Sequence, residues 1–160
     1  MGIRRVARQR ALQILYGVEI TGQPLTEAVE GFLAVRAELE SNSKPMEQFT
    51  FDLSEKCLEH LGEIDARLKS ALINWRFERL SATDRLILRL GCAELLFFDD
   101  IPPRVTINEF IEIARSFGDN ESPHFVNGVL DRIARGENFD MSNMREKVRL
   151  DGAETGQETP

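Results

Sequence analysis

Four arginines fall within the first ten residues, Arg4, Arg5, Arg8 and Arg10, and no acid precedes Glu19. Arginine presents planar, multidentate N–H donors that match phosphate and carboxylate, so the cluster points to recognition of one of those groups. Its position sharpens the point. Positive charge in the first turn of a helix opposes the macrodipole by roughly a few tenths of a kcal/mol per charge. On a helix beginning the chain, Arg8 lies about 75° from the apolar stripe and Arg5 further round, so both are expected to reach solvent. Arg10 falls on the opposite flank.

A second candidate lies far along the chain. The stretch "SFGDNESPHFVNGVLDRIARG", residues 116–136, reads as a helix capped by Ser122, started by Pro123 and stopped at Gly136. Val126, Val129, Leu130 and Ile133 complete its apolar stripe, which leaves Phe125 about 90° off the buried face. A helix N-terminus with exposed N–H groups attracts an anion, and a ring beside it can stack a base for about 1–3 kcal/mol. Together they fit unpaired RNA or DNA. The competing reading is a hydrophobic staple, or a ring covering a neighbouring helix. Asn127 is placed to hydrogen-bond a loop or ligand, and Gly128 to admit another backbone. Arg89, between Leu88 and Leu90, is expected to pair with an acid such as Glu94 or Glu109.

No catalytic constellation can be assembled. The histidines are His60 and His124, and neither has a partner at metal-ligand spacing. There is no Gly-rich phosphate loop and no G-x-S-x-G. Cys57 and Cys92 match no metal or redox spacing. The expectation is therefore a protein that is not an enzyme, with no metal and no cofactor. Reduced cysteines fit the cytoplasm. No apolar run approaches the roughly 18 residues of a membrane span, and the start is not a signal peptide.

These residues need elements to position them, and helical periodicity dominates. Ala7, Ala11, Ile14, Leu15 and Val18 share one face of a helix over about 4–20, ended by "TGQP". A second helix, about 25–40, turns Ala28, Phe32, Val35 and Leu39 inward. A third carries Phe49, Leu53, Cys57 and Leu61 to Gly62. A fourth, from near Glu63, uses Ile64, Leu68, Leu72 and Trp75. The fifth, about 83–98, has Ser81 and Asp84 at capping-box spacing and buries Leu86, Ile87, Leu90 and Phe97. "DDIPPR" ends it. Thr106 and Glu109 then form a T-x-x-E box for a sixth helix over Ile107, Phe110, Ile111 and Ala114. The reading is all-α, with seven helices in one domain over 1–136. An acidic tail, 137–160, follows, read as mobile with a short helix over Met144 to Leu150.

The net charge of −7 is unevenly spread. Residues 1–18 carry only the four arginines, and 137–160 hold six acids against three bases, which leaves about −8 between them. Such a chain is not a bulk polyanion binder, but it can place positive charge at one site.

Three segments carry a resemblance: "RRVARQRALQILY", "NWRFERLSATDRLILRLGCAEL" and "VTINEFIEIARSFGDNESPHFVNGVLDRIA". Together they are similar to the NusB family of bacterial transcription antitermination factors, over about residues 3–135. The resemblance implies a compact all-helical bundle of two three-helix halves, without cofactor or catalysis. It implies binding of single-stranded boxA RNA from ribosomal leader transcripts together with NusE, a small-subunit ribosomal protein. RNA polymerase and the other Nus factors complete the assembly, and both monomers and homodimers fit the pattern. Carried over by motif, the RNA-contacting positions are Arg4, Arg5, Arg8, Phe125 and Asn127, and Asp84 takes the place of a carboxylate that meets the partner. Three positions depart from the pattern. Val6 interrupts a run of three arginines, His124 replaces a more basic residue before the phenylalanine, and Ala93 replaces a tyrosine. The alternatives are a helical protein–protein interaction module, or an accessory RNA-binding domain without antitermination. NusB-like domains also occur fused to rRNA cytosine methyltransferases.

Overall fold

A computed structural model describes residues 2–37 and 44–136. Among these residues all regular structure is helical: α1 (Ile3–Thr21), α2 (Leu25–Ala37), α3 (Lys44–Glu59), α4 (Leu61–Ala71), α5 (Ala82–Phe97), α6 (Pro103–Phe117) and α7 (Ser122–Gly136). A single 3₁₀ turn, Phe77–Arg79, separates α4 from α5. The readings of the tail and of the inward side chains Phe32, Val35 and Leu39 on α2 lie outside the described residues.

The apolar stripes act as expected. Ala7, Ala11, Ile14 and Leu15 are buried on α1, and Gly22 ends that helix at φ +72°, donating its N–H to Val18 O at 2.8 Å. This left-handed residue is the usual place for glycine after a helix. Helix α5 is the axle of the fold. Leu86, Ile87, Leu88, Leu90, Cys92, Ala93 and Leu95 are buried on every side of it, and it touches α1, α3, α4, α6 and α7. A helix that is apolar all round belongs in the interior. Helices α1, α2 and α3 pack mutually, as do α5, α6 and α7, so the two three-helix halves meet along α5. Cys57 and Cys92 are both buried, free thiols, and burial pushes each thiol up to about 12. They are core residues and poor nucleophiles.

Ion pairs fix the direction of α1 against α5. Arg85 near the start of α5 donates to Glu19 near the end of α1 at 2.8 Å, whereas Glu94 near the end of α5 holds Arg8 near the start of α1. The two helices therefore run antiparallel, and the arginine-rich end of the chain sits at the C-terminal end of α5.

Three expectations about local structure need correction. Trp75 does not extend the face of α4. That helix stops at Ala71, and Trp75 stands exposed in the following segment. Thr106 and Glu109 do not cap α6, which begins three residues earlier at Pro103, where a proline needs no intrahelical N–H partner. Gly128 admits no other backbone: a Cβ there would meet only the Arg132 guanidinium, at 3.8 Å. Gly91 has that role instead. A Cβ there would lie 2.7 Å from Leu130 Cδ1, so the absent side chain lets α7 seat on α5.

Candidate nucleic-acid interface

The arginine cluster splits into distinct environments. Arg8, expected at the surface, is 2 % exposed. Its Nε and Nη2 donate to the two carboxylate oxygens of Glu94 at 2.7 and 2.9 Å, and Glu94 is itself wholly buried. The Thr106 hydroxyl donates to the same carboxylate. Two fully desolvated charges survive inside a protein only when paired and hydrogen-bonded in this way. Arg8 also lies over the Phe49 ring, 5.5 Å from its centroid. Arg8 is thus a tie between α1, α5 and α6, with no face left for an outside phosphate. Arg10 is buried as well.

Arg5 and Arg4 are the accessible members. Arg5 makes a fork to Glu109 on α6, with Nε and Nη2 at 2.6 and 3.0 Å, and about a third of its side chain stays exposed. Arg4 reaches Asp100 at 3.2 Å and lies 5.0 Å from the Phe49 centroid, with half its side chain exposed. Arg89 pairs with neither Glu94 nor Glu109, as both are engaged by the α1 arginines. Its fork goes to Asp65 on α4 at 2.8 and 2.9 Å.

The start of α7 differs from expectation too. Asp119 Oδ1 accepts the N–H groups of Glu121 and Ser122, at 2.9 and 3.1 Å. The Ser122 hydroxyl donates to Asp84 Oδ1 at 2.7 Å. The chain's own carboxylates therefore fill the place where an external anion was expected. At the start of α5 the Ser81 cap forms, its Oγ accepting Asp84 N–H at 3.1 Å, while the Asp84 carboxylate turns to Ser122. One turn into α7, Phe125 is half-buried and Asn127 exposed. The Phe125 ring meets Trp75, with centroids 5.1 Å apart and planes at 55°. Phe125 packs in part on the core, and the rest of its ring reaches the surface.

The two candidates do not merge into one patch. Ser122, one turn before Phe125, bonds Asp84 at the start of α5, and Arg8 bonds Glu94 near its end. Ten residues of helix separate those positions by about 15 Å along the axis. A ligand touching both must be extended, as a nucleic-acid strand is.

A family model described as the NusB family matches residues 5–135. The chain belongs to the NusB family. It is 42 % identical over 134 residues to the transcription antitermination protein NusB of Myxococcus xanthus, covering 84 % of this chain and 96 % of that protein. The structure of T. maritima NusB is similar at TM-score 0.72 and 36 % identity, over 82 % of this chain and 90 % of that one. A crystal structure of the antitermination factors NusB and NusE in complex with dsRNA contains a chain similar at TM-score 0.73 and 29 % identity. The match covers 85 % of this chain and 98 % of that one.

Within this NusB-family chain, periodicity missed the partners of the first arginines. Glu94 sits in the apolar run "GCAELLF", and a lone carboxylate in such a run signals a buried cation nearby. Thr106 and Glu109 mimic a capping box because they are three apart, the same spacing that turns one to Glu94 on α5 and the other to Arg5 on α1. The Arg5 fork has a pH signature. The Arg5 hydrogen bond holds the Glu109 carboxyl below its ordinary value of 4.5 and raises the Arg5 guanidinium. A lowered carboxylate contributes stability that is fully present above its unfolded value and is lost as pH falls through the folded one. Thermal melts should therefore find Glu109→Gln less stable than wild type at pH 7, with the gap closing as pH falls below 4.5. A gap that stays constant down to pH 3 would contradict this assignment.

Proposed function

We propose that this chain is an RNA-binding transcription antitermination factor of the cytoplasm. It acts with NusE on single-stranded boxA in nascent ribosomal transcripts, in the company of RNA polymerase and the other Nus factors. The observation that carries this reading is the likeness, across nearly all of the neighbouring chain, to a NusB crystallised with NusE and dsRNA. The geometry supports it. Arg4 and Arg5 keep exposed guanidinium groups at one end of α5, and Phe125 and Asn127 reach the surface near the other. In this reading Arg4 and Arg5 meet phosphates, Phe125 stacks a base and Asn127 reads or orients it. Arg8 holds the α1 end in place from beneath. Asp84, with one oxygen fixed by Ser122, presents a carboxylate toward NusE. No described helix is long and apolar enough to cross a membrane.

The test is titration of boxA RNA with NusE present, across a salt series. Arg5→Ala should weaken binding and reduce the salt slope by about one counterion's worth, because a phosphate contact is lost. Phe125→Ala should weaken binding with the slope unchanged. Wild-type affinity insensitive to both substitutions would remove these residues from the interface, and absence of boxA binding would remove the function.

A further inference from the structure

We propose that Trp75 and Phe125 form a two-ring platform on which successive bases of the unpaired RNA stack, with Trp75 the outer ring. The inference rests on the RNA-binding reading and adds a residue to it. Trp75 is the chain's single tryptophan and is 56 % exposed, an unusual state for so large an apolar side chain. Its position is built. Asn74, just before it, adopts φ +65°, a left-handed conformation that asparagine tolerates better than most residues. This turns the segment leaving α4 across the start of α7. Arg132 on α7 anchors the segment by donating its Nε to Ala71 O at 2.8 Å. The indole then lies against Phe125 at 5.1 Å and 55°. Phe125 is half-buried and supports it from below, and the outer part of the indole is open to solvent.

The charge around the rings selects the occupant. Arg76 follows Trp75 directly and is exposed, and Arg79 is exposed at the end of the 3₁₀ turn. The Arg132 guanidinium lies along α7 over Gly128, one turn from Phe125. Rings flanked by guanidinium groups suit a strand whose bases stack and whose phosphates need cations. The sequence places tryptophan and phenylalanine fifty residues apart, and only the turn at Asn74 brings them together.

Because the protein has one tryptophan, its fluorescence reports on the platform directly. Single-stranded boxA RNA is titrated into the full chain with NusE, following both Trp75 emission and mobility shift. The emission should change and saturate at the midpoint of the mobility shift. Trp75→Ala should weaken binding by about five- to 150-fold, the range for one lost base–aromatic stack. Trp75→Phe should recover most of that, and neither variant should alter the salt slope. Full RNA binding with unchanged emission and an unaffected Trp75→Ala would overturn the platform and leave the RNA reading intact. An emission change caused by NusE alone, with none added by RNA, would make the rings a protein contact and also overturn it. No mobility shift by wild type would bring down the RNA reading itself.

Discussion

Glu94→Ala should destabilise the fold by about 3–5 kcal/mol, the usual consequence of stranding a buried charge. For a chain of this size that is a fall in Tm of roughly 10 °C. Among the described residues, the substitution leaves the Arg8 guanidinium without another carboxylate within hydrogen-bond reach, and it removes the acceptor of the Thr106 hydroxyl. Arg8→Ala should be nearly as damaging, as it strands Glu94. Replacing the whole set by apolar residues of similar shape, Arg8→Met with Glu94→Leu and Thr106→Val, should restore much of the loss, since no buried charge then lacks a partner. Thermal melts of the three variants make the comparison. A Glu94→Ala melt within about a degree of wild type would refute the buried pair. RNA affinity should follow stability in this series, because Arg8 acts by fixing the helix that carries Arg4 and Arg5.

The second large effect concerns the seat of α7. Leu130 is fully buried and lies where a Cβ on Gly91 would be. Leu130→Ala should cost about 2–5 kcal/mol, combining lost transfer energy with the cavity left behind. Gly91→Ala alone should cost about 1–3 kcal/mol, because the new methyl overlaps the leucine at 2.7 Å and the close-packed interior cannot shift freely. The double variant should lose less than the two singles together, as the alanine at 91 fills part of the space vacated at 130. Denaturant unfolding of the four proteins gives the cycle. Strict additivity would show that the two sites do not share this space. Since α7 carries Phe125 and Asn127, the same contact sets how high those residues stand above α5.

In the proposed reading, these two contacts let a chain with net charge −7 offer RNA a usable surface. Of the first four arginines, the structure sinks two and leaves two at the rim. Arg5 remains in a fork with Glu109, so a phosphate reaching it must share the guanidinium with a carboxylate. That arrangement holds the guanidinium in one orientation before any ligand arrives.

The helices were legible because burial of one face imposes a 3.6-residue period. Ala7, Ala11, Ile14 and Leu15 on α1, and Val126, Val129, Leu130 and Ile133 on α7, are buried as their spacing required. The Ser81 cap was legible too, being a contact across three residues. The surface position of Phe125 and the family followed from residue types and motifs. What a period cannot carry is which side chain meets which across the core. Arg8 stands off the apolar stripe of α1 by angle, yet α5 and α6 close over it, and Glu94 and Thr106 turn a solvent position into an interior one. Arg89 finds Asp65 because α4 crosses it there. Trp75 fits the phase of α4, but the helix ends first and the left-handed Asn74 redirects the ring onto α7. The sequence alone determined the helices, their buried stripes and the family, because those are written in neighbours a few residues apart. The tertiary structure alone decided which arginines face solvent and which rings share a surface, because those depend on contacts between residues 50 to 104 positions apart.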